Sequence, residues 1–153
     1  MQWTSIVSLV HAMINGLGLP RALVLHCGGN DIGLFSIREL IKHMKFALYV
    51  VCNMLPGCSI IFSCILPRKT WRYSNNAKAM EHARKRVNRS LIRYLMNNGC
   101  YVIRHLDLDD GHKALYDVDG THLSFLGNDI FINAIQGGLE QFLMYPYNRL
   151  YPM

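Results

Sequence analysis

The sequence lacks the marks of a secreted or a zinc-binding protein. No basic region followed by a short apolar stretch comes after Met1, so no secretory signal is visible. The five cysteines are an odd number without paired spacing, and neither CxxC nor HExxH occurs. These absences argue against a disulfide framework and against a zinc site. We therefore expect a reduced, intracellular and cytoplasmic setting, and neither a metal nor a cofactor.

An uninterrupted apolar stretch that would span a membrane is also missing. Residues 46–66 have the length of a span and basic flanks. However, Asn53 lies near the middle and Pro56-Gly57 divides the stretch, which fits the end of a helix, a turn and a strand. With 153 residues, 51% of them hydrophobic and 17% charged, we expect one compact domain with a real core.

Helical and strand-like patterns alternate along the chain. Helices are predicted over residues 4–15, from Ser36 to about 52, over 75–98, and for about 20 residues from Ser124 to Met144. The apolar runs 21–27, 59–66 and 101–107 have the length of strands. Cys27, Cys64 and Cys100 fall in or beside these runs and should be buried. The alternation predicts a three-layer α/β/α sandwich with a parallel, flavodoxin-like sheet.

Functional groups of such a sheet gather in the loops at the carboxyl ends of its strands. Three loops qualify: residues 28–31, 67–74 and 107–122. In the last, Asp119 precedes His122 by three residues, a spacing that lets the carboxylate accept a hydrogen bond from one ring nitrogen. The other ring nitrogen can then act as a base. The pattern is weak by itself, because Asp109 and His112 form a second copy.

The order of three motifs is more specific. GGND after the first predicted strand, ILPR after the next, and DGTHLSFLG before the last helix resemble the later blocks of the SGNH hydrolases, the esterase and lipase family also called GDSL-like. The stretch IIFSCILPRKTW, running into the helix with Asn88, is similar to the platelet-activating-factor acetylhydrolase branch. The resemblance covers about residues 21–143 and implies a single SGNH hydrolase-like domain over 1–153.

The resemblance implies a role for each matching position. Asn30 matches the oxyanion donor, a role worth roughly 3 to 4 kcal/mol in comparable sites, and Gly28 and Gly29 would permit the turn that directs it. His122 matches the general base and Asp119 its orienting acid, and the Leu-Ser-x-x-Gly after His122 favours this pair over the earlier copy. The substrate would be a small ester. Without the resemblance, Asn30 would be read as a turn former.

The departure from the family is as informative as the match. The family's Gly-Asp-Ser nucleophile block should precede Gly28, yet the 27 preceding residues contain no Gly-x-Ser. We therefore expect an N-terminally truncated domain that lacks its first strand. Loss of the nucleophile costs about 10⁶ in kcat, so the chain should be weakly active or inactive. Rescue by the Cys27 thiol is an alternative, although a buried structural thiol is the simpler interpretation.

Two non-catalytic functions remain open. A sheet without its first strand exposes an edge that could pair with a second copy, as in a binding or assembly module. Residues 68–93 hold nine Lys or Arg against one acid, so a nucleic-acid surface is a further alternative. The basic residues recur at helical spacing opposite apolar ones, which a solvated helix face explains equally well. His26, at the end of the first predicted strand, should be packed with both ring nitrogens satisfied.

Overall fold

A computed structural model describes residues 2–109 and 111–153 and has the predicted α/β class. Its helices are α1 Ile6–Leu17, α2 Ile37–Met54, α3 Ala77–Asn97 and α4 Phe125–Met144. Its strands are β1 Ala22–Leu25, β2 Ser59–Ser63, β3 Tyr101–Ile103 and β4 Leu150–Tyr151. Ser36 caps α2 in a capping box with Glu39, and Ser124 caps α4 by accepting from the backbone of Gly127. Both predicted helix starts are therefore confirmed.

The four strands form one parallel sheet in the order β1-β2-β3-β4. Leu25 lies opposite Phe62, and Ser63 lies opposite Ile103. Because all strands run the same way, the loops after β1, β2 and β3 lie together at the carboxyl end of the sheet. The register places the ends of these three strands side by side.

Helices cover both faces of the sheet. Phe62 and Val102 face the main core, which also contains the buried residues of α2 and α3. Ile61 and Ile103 point to the other face, where they pack with Phe142 of α4. A Cβ on Gly138 would lie 2.6 Å from Cγ1 of Ile103, so only glycine lets α4 approach this closely. The helices and the sheet together make three layers.

All three predicted strands end earlier than expected. The first ends at Leu25 rather than residue 27, the second at Ser63 rather than 66, and the third at Ile103 rather than 107. After Ser63 the chain leaves the sheet, because side chains of α3 take over the backbone hydrogen bonds that a neighbouring strand would make. Asn88 accepts from the backbone N–H of Ile65 (3.0 Å) and donates to its carbonyl (2.9 Å), while Arg84 donates to the same carbonyl (2.8 Å). The two-residue strand β4 was not predicted, since its pairing comes entirely from the tertiary fold.

The apolar stretch 46–66 contains the end of α2, a turn at Pro56-Gly57 and β2, as the sequence indicates. Within the described ranges, no helix is long and apolar enough to cross a membrane. The three cysteines expected in the core, Cys27, Cys64 and Cys100, are buried. The Sγ atom of Cys100 lies 3.8 Å from that of Cys52, and this hydrogen bond lowers the pKa of Cys52 to about 7.

Strand β1 is an edge strand of the sheet, so its outer side has no strand partner within the described residues. Ser59 lies opposite Ala22 and donates its N–H to the carbonyl of Arg21 (3.0 Å). The alternation of a parallel ladder then turns the N–H of Ala22 outward and that of Leu23 toward β2. Ala22 is exposed.

Proline substitutions should distinguish these two N–H groups. Ala22→Pro removes a donor that the sheet does not use, so the free energy of unfolding should change by less than about 1 kcal/mol. Leu23→Pro removes a ladder hydrogen bond and should cost about 3 kcal/mol or more. Urea denaturation of the two variants measures the difference. Equal destabilisation by both would contradict the orientation of β1.

Candidate active site

A cavity of about 260 Å³, called the site cavity below, lies at the carboxyl end of the sheet. It is bordered by the loop after β1, the segment after β2, the loop before α4 and α4 itself. Its lining residues are His26, Cys27, Gly28, Gly29, Asn30, Ile65, Leu66, Arg68, Thr121, His122, Leu123, Asn128 and Phe131. The structure thus brings Gly28, Gly29, Asn30 and His122 to one cavity, although they are separated by some ninety residues in sequence.

Arg68 orients the Asn30 side chain. Its Nη1 donates to Oδ1 of Asn30 (3.0 Å), so the amide Nδ2 is the end of that side chain left to donate elsewhere. The guanidinium of Arg68 lies directly over Gly29, where a Cβ would come within 2.5 Å of Nη2. Burial lowers the pKa of Arg68 without removing its charge, and the ring of Trp71 lies 5.7 Å away. The motif ILPR pointed to this segment, but the contact with Asn30 was not predicted.

Gly28 shapes the turn that precedes Asn30. Its φ is 110°, a conformation that residues with a Cβ rarely adopt. A Cβ here would also lie 2.8 Å from both the Trp3 indole nitrogen and Cδ1 of Ile65. Asp31 anchors the other side of the turn, because its fully buried carboxylate accepts from the backbone N–H of Trp3 (3.2 Å). Burial raises the pKa of Asp31.

Asp119 and His122 form a hydrogen-bonded pair on the rim of the site cavity. Nδ1 of His122 donates to Oδ2 of Asp119 at 2.5 Å, while Oδ1 accepts from the backbone N–H groups of Thr121 (2.8 Å) and His122 (2.9 Å). These bonds hold the pKa of Asp119 near 2. The carboxylate therefore stays ionised, and Nε2 of His122 is the ring nitrogen that can take up a proton.

The loop that carries this pair is docked onto the segment after β2. The carbonyl of Gly120 accepts from the backbone N–H groups of Lys69 (2.8 Å) and Thr70 (3.1 Å). Tyr116 donates its hydroxyl proton to the carbonyl of Pro67 (2.9 Å). The two loops therefore form one framework, although the His122 side chain itself is 79% exposed.

The second Asp-x-x-His copy is used differently. Asp109 forms an ion pair with the buried Arg84 (2.5 Å), and Nδ1 of His112 accepts from the backbone of Ala114. Neither residue lines the site cavity. The choice of Asp119 and His122 over this copy is consistent with the geometry.

The groups that could act as nucleophiles in the site cavity are limited. The described residues that line it include no serine. Thr121 donates its hydroxyl to the carbonyl of Thr70 (3.3 Å). The Cys27 thiol has its pKa raised to about 12, mainly by burial and further by the Asp31 carboxylate, so almost none of it is thiolate at neutral pH. Among the described residues, no cluster of three His, Cys, Asp or Glu could hold a metal ion.

A chain of polar side chains crosses the ends of the first three strands and was not predicted. Nδ1 of His26 lies 2.8 Å from Oγ of Ser63, and the same Oγ lies 2.7 Å from Nε2 of His105. Phe131 of α4 packs against both imidazole rings. The expectation that His26 is packed with both nitrogens satisfied was wrong in part, because its side chain is exposed to the site cavity. The only sequence signal was a polar residue at the end of each apolar run.

The buried Gly28 turn should be sensitive to a single methyl group. Gly28→Ala combines a left-handed φ with contacts below 3 Å, and we expect a loss of about 1–3 kcal/mol in the free energy of unfolding. Gly16→Ala is the matched control, since Gly16 lies in α1 with nothing within 4 Å of its Cβ position. This control should raise stability by up to about 1 kcal/mol. Denaturant unfolding tests both, and an unaffected Gly28→Ala would contradict the turn geometry.

The histidine chain predicts acid sensitivity. Burial lowers the pKa of His105 to about 3, and it also lowers that of His26. In the unfolded chain both rings titrate at about 6.5, so below that pH the unfolded state binds more protons than the native state. This contribution is complete above about pH 6.5 and is lost as the pH falls toward the native value. His105 alone should contribute up to about 1.4 kcal/mol per pH unit, and the partly exposed His26 should contribute less.

Denaturant unfolding between about pH 7 and 5 measures this slope, above the range in which most carboxylates titrate. His105→Gln should flatten it, while His82→Gln, on the exposed face of α3, should leave it unchanged. A His105→Gln slope equal to that of the parent chain would exclude His105 as the source.

Comparison with solved structures places this geometry in a known fold. A GDSL-like lipase from Bacteroides thetaiotaomicron matches with a TM-score of 0.74 and 15% identity, over 92% of this chain and 72% of the lipase. A family 3 carbohydrate esterase from Clostridium thermocellum matches with a TM-score of 0.74 and 16% identity, over 97% and 69%. The chain therefore has an SGNH hydrolase-like fold.

A third match is a Streptococcus pneumonia structure whose name refers to platelet activating factor. It has a TM-score of 0.71 and 19% identity, covering 90% of this chain and 67% of that one. No protein-family model and no curated protein matches the sequence. The sequence resemblance to the SGNH fold is confirmed by these structures, while the identities are too low to transfer an activity.

Proposed function

We propose that this chain is an SGNH-type ester hydrolase domain that keeps the acid–base and oxyanion groups but lacks the nucleophilic serine. The observation that carries the proposal is that His122, paired with Asp119, and the Arg68-oriented Asn30 line one cavity, whose described lining residues include no serine. Two further points support it. The solved neighbours are esterases and lipases, and this chain covers only 67–72% of the three described above. The domain would extend over residues 1–153.

Each side chain has one role in this proposal. Nε2 of His122 acts as general base, and Asp119 holds its tautomer and stabilises the imidazolium that forms. The Nδ2 amide of Asn30 donates to the oxyanion of the tetrahedral intermediate, with Gly28 and Gly29 shaping the turn. In a complete site the base would take the proton of a serine, which would attack the ester and form an acyl-enzyme.

Without the serine, the same groups can support only slower direct hydrolysis. His122 would take a proton from a water molecule, whose oxygen attacks the ester carbonyl while Asn30 stabilises the negative charge. When the intermediate collapses, the imidazolium returns the proton to the leaving alcohol. Loss of a triad nucleophile costs about 10⁶ in kcat, so the expected activity is weak or absent. Cys27 does not replace the serine in this proposal, because its thiol is buried and protonated.

Hydrolysis of p-nitrophenyl acetate tests the proposal. We expect slow turnover that falls by about tenfold or more in His122→Ala, since the general base is lost. The matched control is His112→Ala, which removes the exposed histidine of the other Asp-x-x-His copy. A fluorophosphonate probe, which labels activated serines, should not react.

The outcomes separate the alternatives. Equal turnover in His122→Ala and His112→Ala would exclude His122 as the base. No turnover above the buffer rate would favour a non-catalytic module. Fluorophosphonate labelling of any residue would show that a nucleophile is present and would overturn the proposed loss.

A second candidate function is assembly through the sheet edge, with a second copy as partner. The exposed β1 edge favours it. The exposed apolar surface of α4, a helix that packs against β3 and β4, also favours it. The exposed apolar residues of α4 include Phe125, Leu126, Ile132, Leu143 and Met144. An unpaired strand edge and an exposed apolar helix surface are both common sites of association.

Light scattering of the purified chain over a range of concentrations tests this second candidate. We expect dimers whose dissociation constant rises by about tenfold or more in Ala22→Pro, because its outward N–H can no longer pair with another strand. Phe125→Ser is a useful comparison, since it alters the α4 surface and leaves the edge intact. A monomer at every concentration, or a dimer unaffected by Ala22→Pro, would exclude edge pairing.

A further inference from the structure

A second and larger cavity lies on the α3 side of the sheet and has no role in the proposed chemistry. This α3 cavity has a volume of about 410 Å³ and lies between α3, the segment after β2 and the segment after β3. It shares Ile65 and Leu66 with the site cavity, so these two residues separate the two spaces. Its volume is within the range of cavities that hold small organic ligands.

The α3 cavity combines an apolar floor with a basic rim. Cys64, Ile65 and Ile92 contribute to the floor together with Leu106, whose side chain is 51% exposed. Lys85, Arg89 and Arg93 follow one another at four-residue spacing along α3 and form one side of the rim. All three are exposed. Arg104, from the segment after β3, also lines the α3 cavity, and its Nη2 donates to the carbonyl of Pro152.

The positive charge of this rim is largely uncompensated. Two acids, Glu81 and Asp109, form ion pairs in this region, and both pair with the buried Arg84, at 2.6 and 2.5 Å. Glu81 also contacts Lys85 at 3.4 Å. Among the described residues, Arg89, Arg93 and Arg104 form no ion pair. Arg84 thus uses most of the local negative charge, and the remaining rim is cationic.

A solvated helix face explains only part of this arrangement. Lys78 and His82 lie on the same face of α3 without lining the α3 cavity, and they need no ligand. In contrast, Arg89 and Arg93 border a concave space whose floor is apolar and partly open to water. His105 also lines this space, and its buried Nδ1 has no hydrogen-bond partner within the described residues. A ligand that buries apolar surface and carries negative charge matches both features.

We propose that the α3 cavity binds an amphiphilic anion, a carboxylate or phosphate monoester with a medium-length apolar chain. The anionic group would lie between Arg89 and Arg93, and the chain would cover Leu106 and Ile92. Charge-assisted hydrogen bonds from guanidinium groups are well suited to both headgroups. This site does not depend on the proposed hydrolytic function, because it uses neither His122 nor Asn30.

Calorimetric titration of the full chain with decanoate tests the site, below the micelle-forming concentration. Decyl maltoside has the same alkyl chain without charge and should bind at least about tenfold more weakly. Decyl phosphate and inorganic phosphate complete the series. Binding of decanoate and decyl phosphate but not of phosphate supports an amphiphile site. If inorganic phosphate binds as tightly as decyl phosphate, the apolar floor contributes nothing and the proposal fails.

Paired variants locate the site. Arg89→Gln with Arg93→Gln should weaken decanoate binding by about tenfold or more. Arg38→Gln with Lys42→Gln removes two exposed charges at the same spacing on α2 and should have no effect. Leu106→Ser should also weaken binding. Leu9→Ser is the matched control and should not, because Leu9 is 52% exposed, about as much as Leu106, but does not line the α3 cavity. These positions are exposed, so the fold should tolerate every variant.

Two results would overturn the proposal. One is equal binding of decanoate by the two double variants, which would place the anion elsewhere. The other is no decanoate binding, together with salt-sensitive binding of a single-stranded oligonucleotide that Arg89→Gln with Arg93→Gln abolishes. That second result would identify the basic face of α3 as a surface for phosphate backbones instead.

Discussion

The paired hydrogen bonds between the Asn88 side chain and the backbone of Ile65 hold the segment after β2 in place at the carboxyl end of the sheet, where the site cavity lies. A parallel strand that leaves its sheet exposes backbone donors and acceptors that need new partners when they are buried. Asn88 supplies one donor and one acceptor to Ile65, and Arg84 supplies a second donor. The chain can therefore turn away after Ser63 while still buried. Arg68 reaches Asn30 only because the segment after β2 follows this path.

The same requirement accounts for the polar groups near the site. Arg84 is almost fully buried and keeps its charge with the help of Glu81 and Asp109. Ser63 is fully buried between two histidines, and burial lowers the pKa of His105 to about 3 and also lowers that of the partly exposed His26. By contrast, Asp119 and His122 are largely exposed, and their geometry comes from short local bonds rather than from burial. Arg84 is thus paired and His105 neutral in the interior, while Asp119 and His122 stay at the surface.

Much of the fold could be predicted because the signals are local. The apolar periods of the helices, the capping residues Ser36 and Ser124, and the break at Pro56-Gly57 all act within a few residues. The pairing of Asp119 with His122 is also local, since their spacing within one turn brings the carboxylate to the imidazole. Strand ends were less accurate, because Ile65 looks like strand in the sequence but finds its partners on α3. No nearby residue indicates that exchange.

The sequence by itself determined the α/β order, the parallel sheet and the Asp119–His122 pair, since each follows from spacing along the backbone. Only the tertiary structure decided which residues meet across that spacing. Arg68 oriented against Asn30, the chain from His26 through Ser63 to His105, and the cationic rim over an apolar floor all join residues from different elements. The distances between these residues depend on sheet register and helix packing. Both are set by contacts between segments far apart in the chain, so the pattern of neighbouring residues does not reveal them.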